Sequence, residues 1–256
     1  MSILEYSSIV YEINMLSSYL EFGHNNLADF RQRLTSELNE SIKKFRVSED
    51  IHSDVSNDEI IRQVEVRVDA MTVLDEFPID ESGGNSFVHI SSIREGLELA
   101  NQYDNTLYAT IVIMVYSCIE RGLIRICDLQ EAKNCQGVIP QTRDYLDNKL
   151  GYRIDNKVWS ELKFIRWLRN TIIHSGMSFS LDDSLGDIVY DSLGYDAIVK
   201  AQPELIEYLK SNNIYIKEVG VISLNLEYCK YVIEFARQFF GQIDSCFWKT
   251  ETSRHN

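Results

Sequence analysis

Apolar residues in this chain recur at intervals of three and four far more often than at intervals of two, so the pattern is that of helices. Tyr6, Ile9, Val10, Ile13, Leu16 and Leu20 mark one amphipathic helix from Ile3. After the polar break Gly23-His24-Asn25-Asn26, the series Leu27, Phe30, Leu34, Leu38, Ile42 and Phe45 marks a second. Ser56-Asn57-Asp58-Glu59 resembles a helix start, and Ile61, Val64, Val68, Met71, Leu74 and Phe77 form a third stripe that stops at Pro78.

The turn-forming cluster Pro78-Ile79-Asp80-Glu81-Ser82-Gly83-Gly84-Asn85 is the clearest boundary, and it divides an N-terminal amphipathic helical region, 1–82, from a helical domain, 83–250, with a polar tail at 251–256. In the second region Ser92 and Glu95 have capping-box spacing for a helix reaching about Tyr103. Asp104-Asn105 reads as a kink or restart before a long apolar helix from Thr106 to Leu129. Pro140-Gln141-Thr142 opens a short helix that Gly151 ends, and Asn156 caps the helix that follows. A loop-rich stretch with Asp182, Asp183, Gly186 and Gly194 precedes a small helix over Pro203–Lys210. The β-branched run around Val219-Gly220 is compatible with a small β-hairpin. A closing helix over Asn225–Ile243 carries Cys229, Val232, Ile233, Ala236, Phe239 and Phe240 on one face. The expected fold class is therefore all-α with that hairpin as its one exception.

Composition narrows the class. An apolar share of 45% with 25% charged residues is that of a globular chain, and three prolines in 256 residues leave room for long helices. Five scattered cysteines without a Cys-x-x-Cys pair fit a reducing cytoplasm. The N-terminus lacks a basic leader ahead of an apolar run, and the most apolar stretch, Ala109 to Ile119, is too short to span a bilayer. A soluble, cytoplasmic protein with no membrane partner is the expectation.

The net charge of −14 opposes long-range attraction of nucleic acid. Between Arg143 and Arg169, however, the bases Arg143, Lys149, Arg153, Lys157, Lys163, Arg166 and Arg169 outnumber the acids Asp144, Asp147, Asp155 and Glu161. A local basic face is thus compatible with an acidic whole.

Within that stretch lies Arg169-Asn170-Thr171-Ile172-Ile173-His174-Ser175-Gly176, at the end of a helix carrying Leu162, Ile165, Leu168 and Ile172 at helical spacing. Arg and His separated by four to six residues are weak evidence alone: Arg46 and His52 meet that spacing too, in a polar connection between helices. What distinguishes Arg169 and His174 is their place on a buried helix that Gly176 is suited to end. At about 100° per residue Asn170 and His174 share a face, whereas Arg169 lies roughly 140° from His174. The two meet only if the helix ends or distorts near Ile173, or across two chains.

A long apolar helix, a second helix ending in Arg-Asn-x-x-x-His and a closing helix together resemble the HEPN superfamily (higher eukaryotes and prokaryotes nucleotide-binding domains). The resemblance is carried by Arg169, Asn170 and His174, by FIRWLRN and the following SG, and more loosely by YSCIERGLIRI from Tyr116. It covers about residues 85–245. It implies an HEPN-like helical bundle, a homodimer with a composite site, and metal-independent endoribonuclease activity in a toxin-antitoxin or phage-defence system, with an antitoxin or regulatory protein as a further partner.

The residues support that chemistry on their own terms. Attack by the RNA 2′-hydroxyl needs a proton acceptor, a proton donor and a cation for the phosphoryl oxygens. His174 can move protons near neutral pH, Arg169 offers a planar fork to phosphate, and Asn170 suits a positioning role. One histidine serves two proton transfers poorly, which a two-fold dimer would remedy. Lys163 and Arg166 are the candidate RNA grips, with Glu120 and Arg121 as candidate supporting residues. No metal site and no cofactor are expected from the spacing of ligating residues. Alternatively, His174 binds the last helical carbonyls and Arg169 a surface acid, in a non-catalytic HEPN-like module for nucleotide, RNA or a protein partner. A third reading makes the chain a structural adaptor working through its N-terminal helices. Trp159 and Trp167 are better suited to packing than to base stacking.

Overall fold

Gly23 costs a helix about 1 kcal/mol relative to alanine, which is too little to break one whose flanks are both anchored in apolar cores. The first helix, α1, accordingly runs unbroken over Ile3–Ser48, which corrects the division into two helices at Gly23. The computed structural model describes residues 3–74, 84–127, 138–149, 151–175, 203–216 and 222–254. Helix α2 spans Asn57–Leu74, α3 Gly84–Cys127 and α4 Val138–Asp144, which passes into a wider turn over Tyr145–Lys149. Helix α5 is Asn156–Ser175 and α6 is Pro203–Ser211. Strands β1 (Tyr215–Ile216) and β2 (Ile222–Ser223) pair antiparallel, Tyr215 opposite Ser223, and α7 covers Leu226–Arg254.

The molecule is thus mostly helical, with the hairpin where the β-branched run placed it; its turn, like Pro78–Gly83, falls outside the described residues. The described chain groups into two compact units, Met1–Phe22 with Asn105–Asn256, and Gly23–Asp104. This grouping differs from a boundary at 82/83: the first turns of α1 belong with the motif-bearing helix.

In the Gly23–Asp104 unit three helices share one core. Leu38, Ile42 and Phe45 of α1 meet Ile60 and Val64 of α2 and Phe87, Ile90 and Ile93 of α3. Phe45 and Phe87 pack edge to face, centroids 4.8 Å apart. The α1–α2 connection is tied by Arg46, which donates to the carbonyls of His52 and Val55 and to Asn57 Oδ1. Ser56 Oγ caps α2 by accepting from the Glu59 amide at 3.1 Å, as the sequence indicated. Ser92 and Glu95 lie inside α3, so their capping-box spacing marks no helix start.

The other unit packs α1 residues Ile9, Ile13, Leu16 and Leu20 against α3, α5 and α7. Helix α3 does not restart at Asp104-Asn105. Instead Asn105 donates to the Ile222 carbonyl and accepts from the Leu224 amide, both at 3.0 Å, clasping β2. Gly122 lets α3 meet α7: a Cβ there would lie 2.5 Å from Phe240 Cζ and 3.2 Å from Ile9 Cδ1. Gly151 ends the α4 segment with φ of 73°, a conformation glycine adopts without strain. Asn225 Oδ1 caps α7 by accepting from the Tyr228 amide at 2.7 Å. This last helix runs eleven residues past Ile243, into the polar tail, through Arg254. The Phe87–Arg125 part of α3 is long and apolar enough to cross a membrane, contrary to the estimate from Ala109–Ile119 alone. More than half of its most apolar window is buried inside the protein, as in the core helix of a soluble domain.

Candidate functional site

Helix α5 starts one residue earlier in function than its first turn: Asp155, not Asn156, is the cap, its Oδ1 accepting from the Lys157 amide at 2.9 Å. The Asn156 carboxamide is occupied by Arg143, which donates to it at 2.7 Å, pairs with Asp147 and lies 6.0 Å from the Trp159 ring. From there Trp159, Leu162, Ile165, Leu168 and Ile172 are all buried, a strip about 1.5–3 kcal/mol per side chain in stabilising value. This strip fixes the rotation of α5 and hence the direction of every residue between.

Arg169 leaves that helix toward α3. Its guanidinium carbon lies 5.7 Å from the centre of the Tyr116 ring, and its Nη1 donates to Asn170 Oδ1 at 2.8 Å. Its Nε is shielded from solvent and meets no hydrogen-bond partner. Among the described residues no carboxylate lies within ion-pair distance of Arg169, although twelve such pairs occur elsewhere. An arginine fork offers five N–H donors, so most of this one stays available to an acceptor from outside.

Tyr116 is buried, and its hydroxyl sits one turn from Glu120, near enough to feel the carboxylate without forming a well-shaped hydrogen bond. Burial first, then the Glu120 charge, pushes the phenol pKa up, while Arg166 and Arg169 pull the other way. Glu120, Arg166 and Arg169 therefore converge on one tyrosine. Sequence reasoning passed over Tyr116 as a site residue; its signal was its position four residues before Glu120 in the apolar helix.

Arg121 belongs elsewhere. It pairs with Glu12 of α1 at 3.0 Å, and Arg125 holds the other oxygen at 3.4 Å. Burial works to raise the Glu12 carboxyl, but Arg121, Cys118 and Arg125 together hold it below its usual range. Arg121 thus serves α1–α3 packing and does not join Arg169. Lys163 is exposed and Arg166 half-buried, both on α5. Trp159 is core, edge-on to Phe239 at 6.0 Å, and Trp167 packs against the same core, while Ile173 is 44% exposed.

The His174 position lies in α5, one turn beyond Asn170; its side chain is outside what is described. The helix continues through Ser175, so it does not end at Ile173. The roughly 140° between the Arg169 and His174 positions therefore holds within one chain. Arg46, which has a similar spacing to His52, is consumed by loop carbonyls, as its polar setting indicated. Among the described residues no three of His, Cys, Asp and Glu stand together as ligands for a metal. No family model, curated protein or solved structure matches the chain.

Proposed function

We propose that this chain is an HEPN-type endoribonuclease that cuts RNA without a metal, acting in the cytoplasm in a toxin-antitoxin or phage-defence setting. The observation that carries the reading is Arg169: a guanidinium without an acid partner among the described residues, steadied by Asn170 and Tyr116, on the helix that also carries His174. Unpaired cations in partly buried surroundings are costly and favour an incoming anion. The RNA 2′-hydroxyl attacks its neighbouring phosphorus, the bond to the 5′-oxygen breaks, and a 2′,3′-cyclic phosphate and a 5′-hydroxyl result. Arg169 neutralises charge on the phosphoryl oxygens; His174 takes the 2′-proton, and a second histidine returns one to the leaving oxygen.

The angular separation on α5 supports a site built from two chains. With α5 helical through Ser175, two copies related by a two-fold axis supply both an arginine and a histidine to one cleft. Ile173 provides exposed apolar surface for that contact. RNA reaches the cleft along Lys163 and Arg166, since the chain's net charge of −14 repels it elsewhere. That same charge favours the second reading, a non-catalytic HEPN-like module whose Arg169 binds a nucleotide, an RNA or an acidic group of a partner protein.

Incubation with mixed RNA in excess EDTA, with analysis of product ends, separates the two. The nuclease reading predicts cyclic phosphate or its hydrolysis product, and a loss of at least about a hundredfold in Arg169→Ala and His174→Ala. Binding without cleavage at any enzyme concentration establishes the module instead.

A further inference from the structure

We propose that Tyr116 is a positioning residue for Arg169, its ring and not its hydroxyl holding the guanidinium in the orientation that receives phosphate. This deepens the nuclease reading and rests on it for its kinetic consequence, though not for its structural one.

The argument begins with what holds Arg169. A long side chain on the surface of a helix samples many rotamers, and ordering it for a ligand costs free energy at each binding event. Arg169 has two restraints that reduce this cost. Asn170 accepts from Nη1 in the plane of the guanidinium, and Tyr116 lies 5.7 Å from its carbon, within the range where a cation gains from an aromatic face. The Tyr116 ring is itself fixed, being 1% exposed in the middle of α3 among Val112, Val115 and Ile119, all buried. A rigid ring across from a flexible cation sets where that cation can rest.

The two restraints leave one edge of the fork unused. Nη1 is committed to Asn170, Nε is shielded, and among the described residues nothing receives a hydrogen bond from Nη2. An aromatic ring suits this place better than a carboxylate would: it orients the charge without cancelling it. The hydroxyl does not hold the guanidinium, because it makes no hydrogen bond to Arg169.

The test separates ring from hydroxyl and positioning from packing. Tyr116→Phe keeps the ring and should cleave RNA within about twofold of the unaltered protein, whereas Tyr116→Leu should lose about tenfold in kcat with little change in KM. Tyr116→Met, which refills the volume flexibly, replaces the leucine variant if that one does not fold. In an Arg169→Ala background the ring should no longer matter, so Tyr116→Leu should leave the residual rate unchanged. A further loss there, or an equal loss in Tyr116→Phe, overturns the proposal. The Nε–Hε resonance of Arg169, assigned by its disappearance in Arg169→Ala, reads the geometry without RNA. It should move when the ring is removed and stay when only the hydroxyl is. An unmoved resonance in Tyr116→Leu rejects the positioning role even if the protein cleaves RNA. A moved resonance in a protein that cuts no RNA upholds the ring contact and rejects the nuclease reading.

Discussion

Asn105 and Leu224, 119 positions apart, are joined at 3.0 Å by a bond from the Leu224 amide to the Asn105 carboxamide oxygen, while the same carboxamide donates to Ile222. One side chain therefore satisfies two backbone groups in and just after β2, whose one partner among the described residues is β1. Asn105→Leu removes both bonds at a partly buried position and should lower stability by about 2–4 kcal/mol. Denaturant unfolding at constant slope measures this.

Gly122 has a different dependence. An added methyl group would lie 2.5 Å from a ring carbon of Phe240, whose side chain is fully buried and has nowhere to retreat. Gly122→Ala should destabilise by about 1–3 kcal/mol despite its better helix propensity. Adding Phe240→Leu should recover part of that loss, and a pair of purely additive losses would show that the close approach of α3 to α7 is not the cause.

Glu161 makes stability depend on pH. It accepts from Tyr208 at 2.6 Å and lies near Tyr231, both of which favour the carboxylate, yet burial outweighs them and raises its pKa above the ordinary 4.5. Between the unfolded and the raised folded value the native state holds more proton than the unfolded one. Stability should therefore fall as pH rises through that window, above about 4.5. Glu161→Gln should flatten this part of the profile, and an unchanged slope would assign it to other groups.

RNA binding should depend on where a charge sits. Lys163→Ala and Arg166→Ala should each weaken binding and reduce its salt dependence without changing the chemical step. Lys43→Ala, at an exposed lysine in the other unit, is the control. Equal losses at all three positions would mean that only bulk charge matters.

Local sequence pattern made the fold class and the hairpin legible, because both follow from neighbours within a few residues. It failed where distant groups decide. Gly23 and Asp104-Asn105 carry local signals for breaks, and those signals were overridden by packing on both sides of Gly23 and by partners more than a hundred residues from Asn105. The site shows the same division. Arg169, Asn170 and His174 are readable as a motif, and the uselessness of Arg46–His52 followed from its polar setting. Tyr116, 53 positions before Arg169, carries no spacing signal toward it, and Arg121 could not be assigned to Glu12 without knowing that α1 lies beside α3.

The most direct measurement of the central claim, that Arg169 and His174 of two chains form one RNA-cleaving cleft, uses a heterodimer of one unaltered and one His174→Ala chain, isolated by two different tags. If both histidines serve one cleft, its rate on RNA in EDTA should fall by at least about a hundredfold, close to that of the doubly altered dimer. A heterodimer retaining about half the unaltered rate, or an unaltered protein that cuts no RNA, would contradict it.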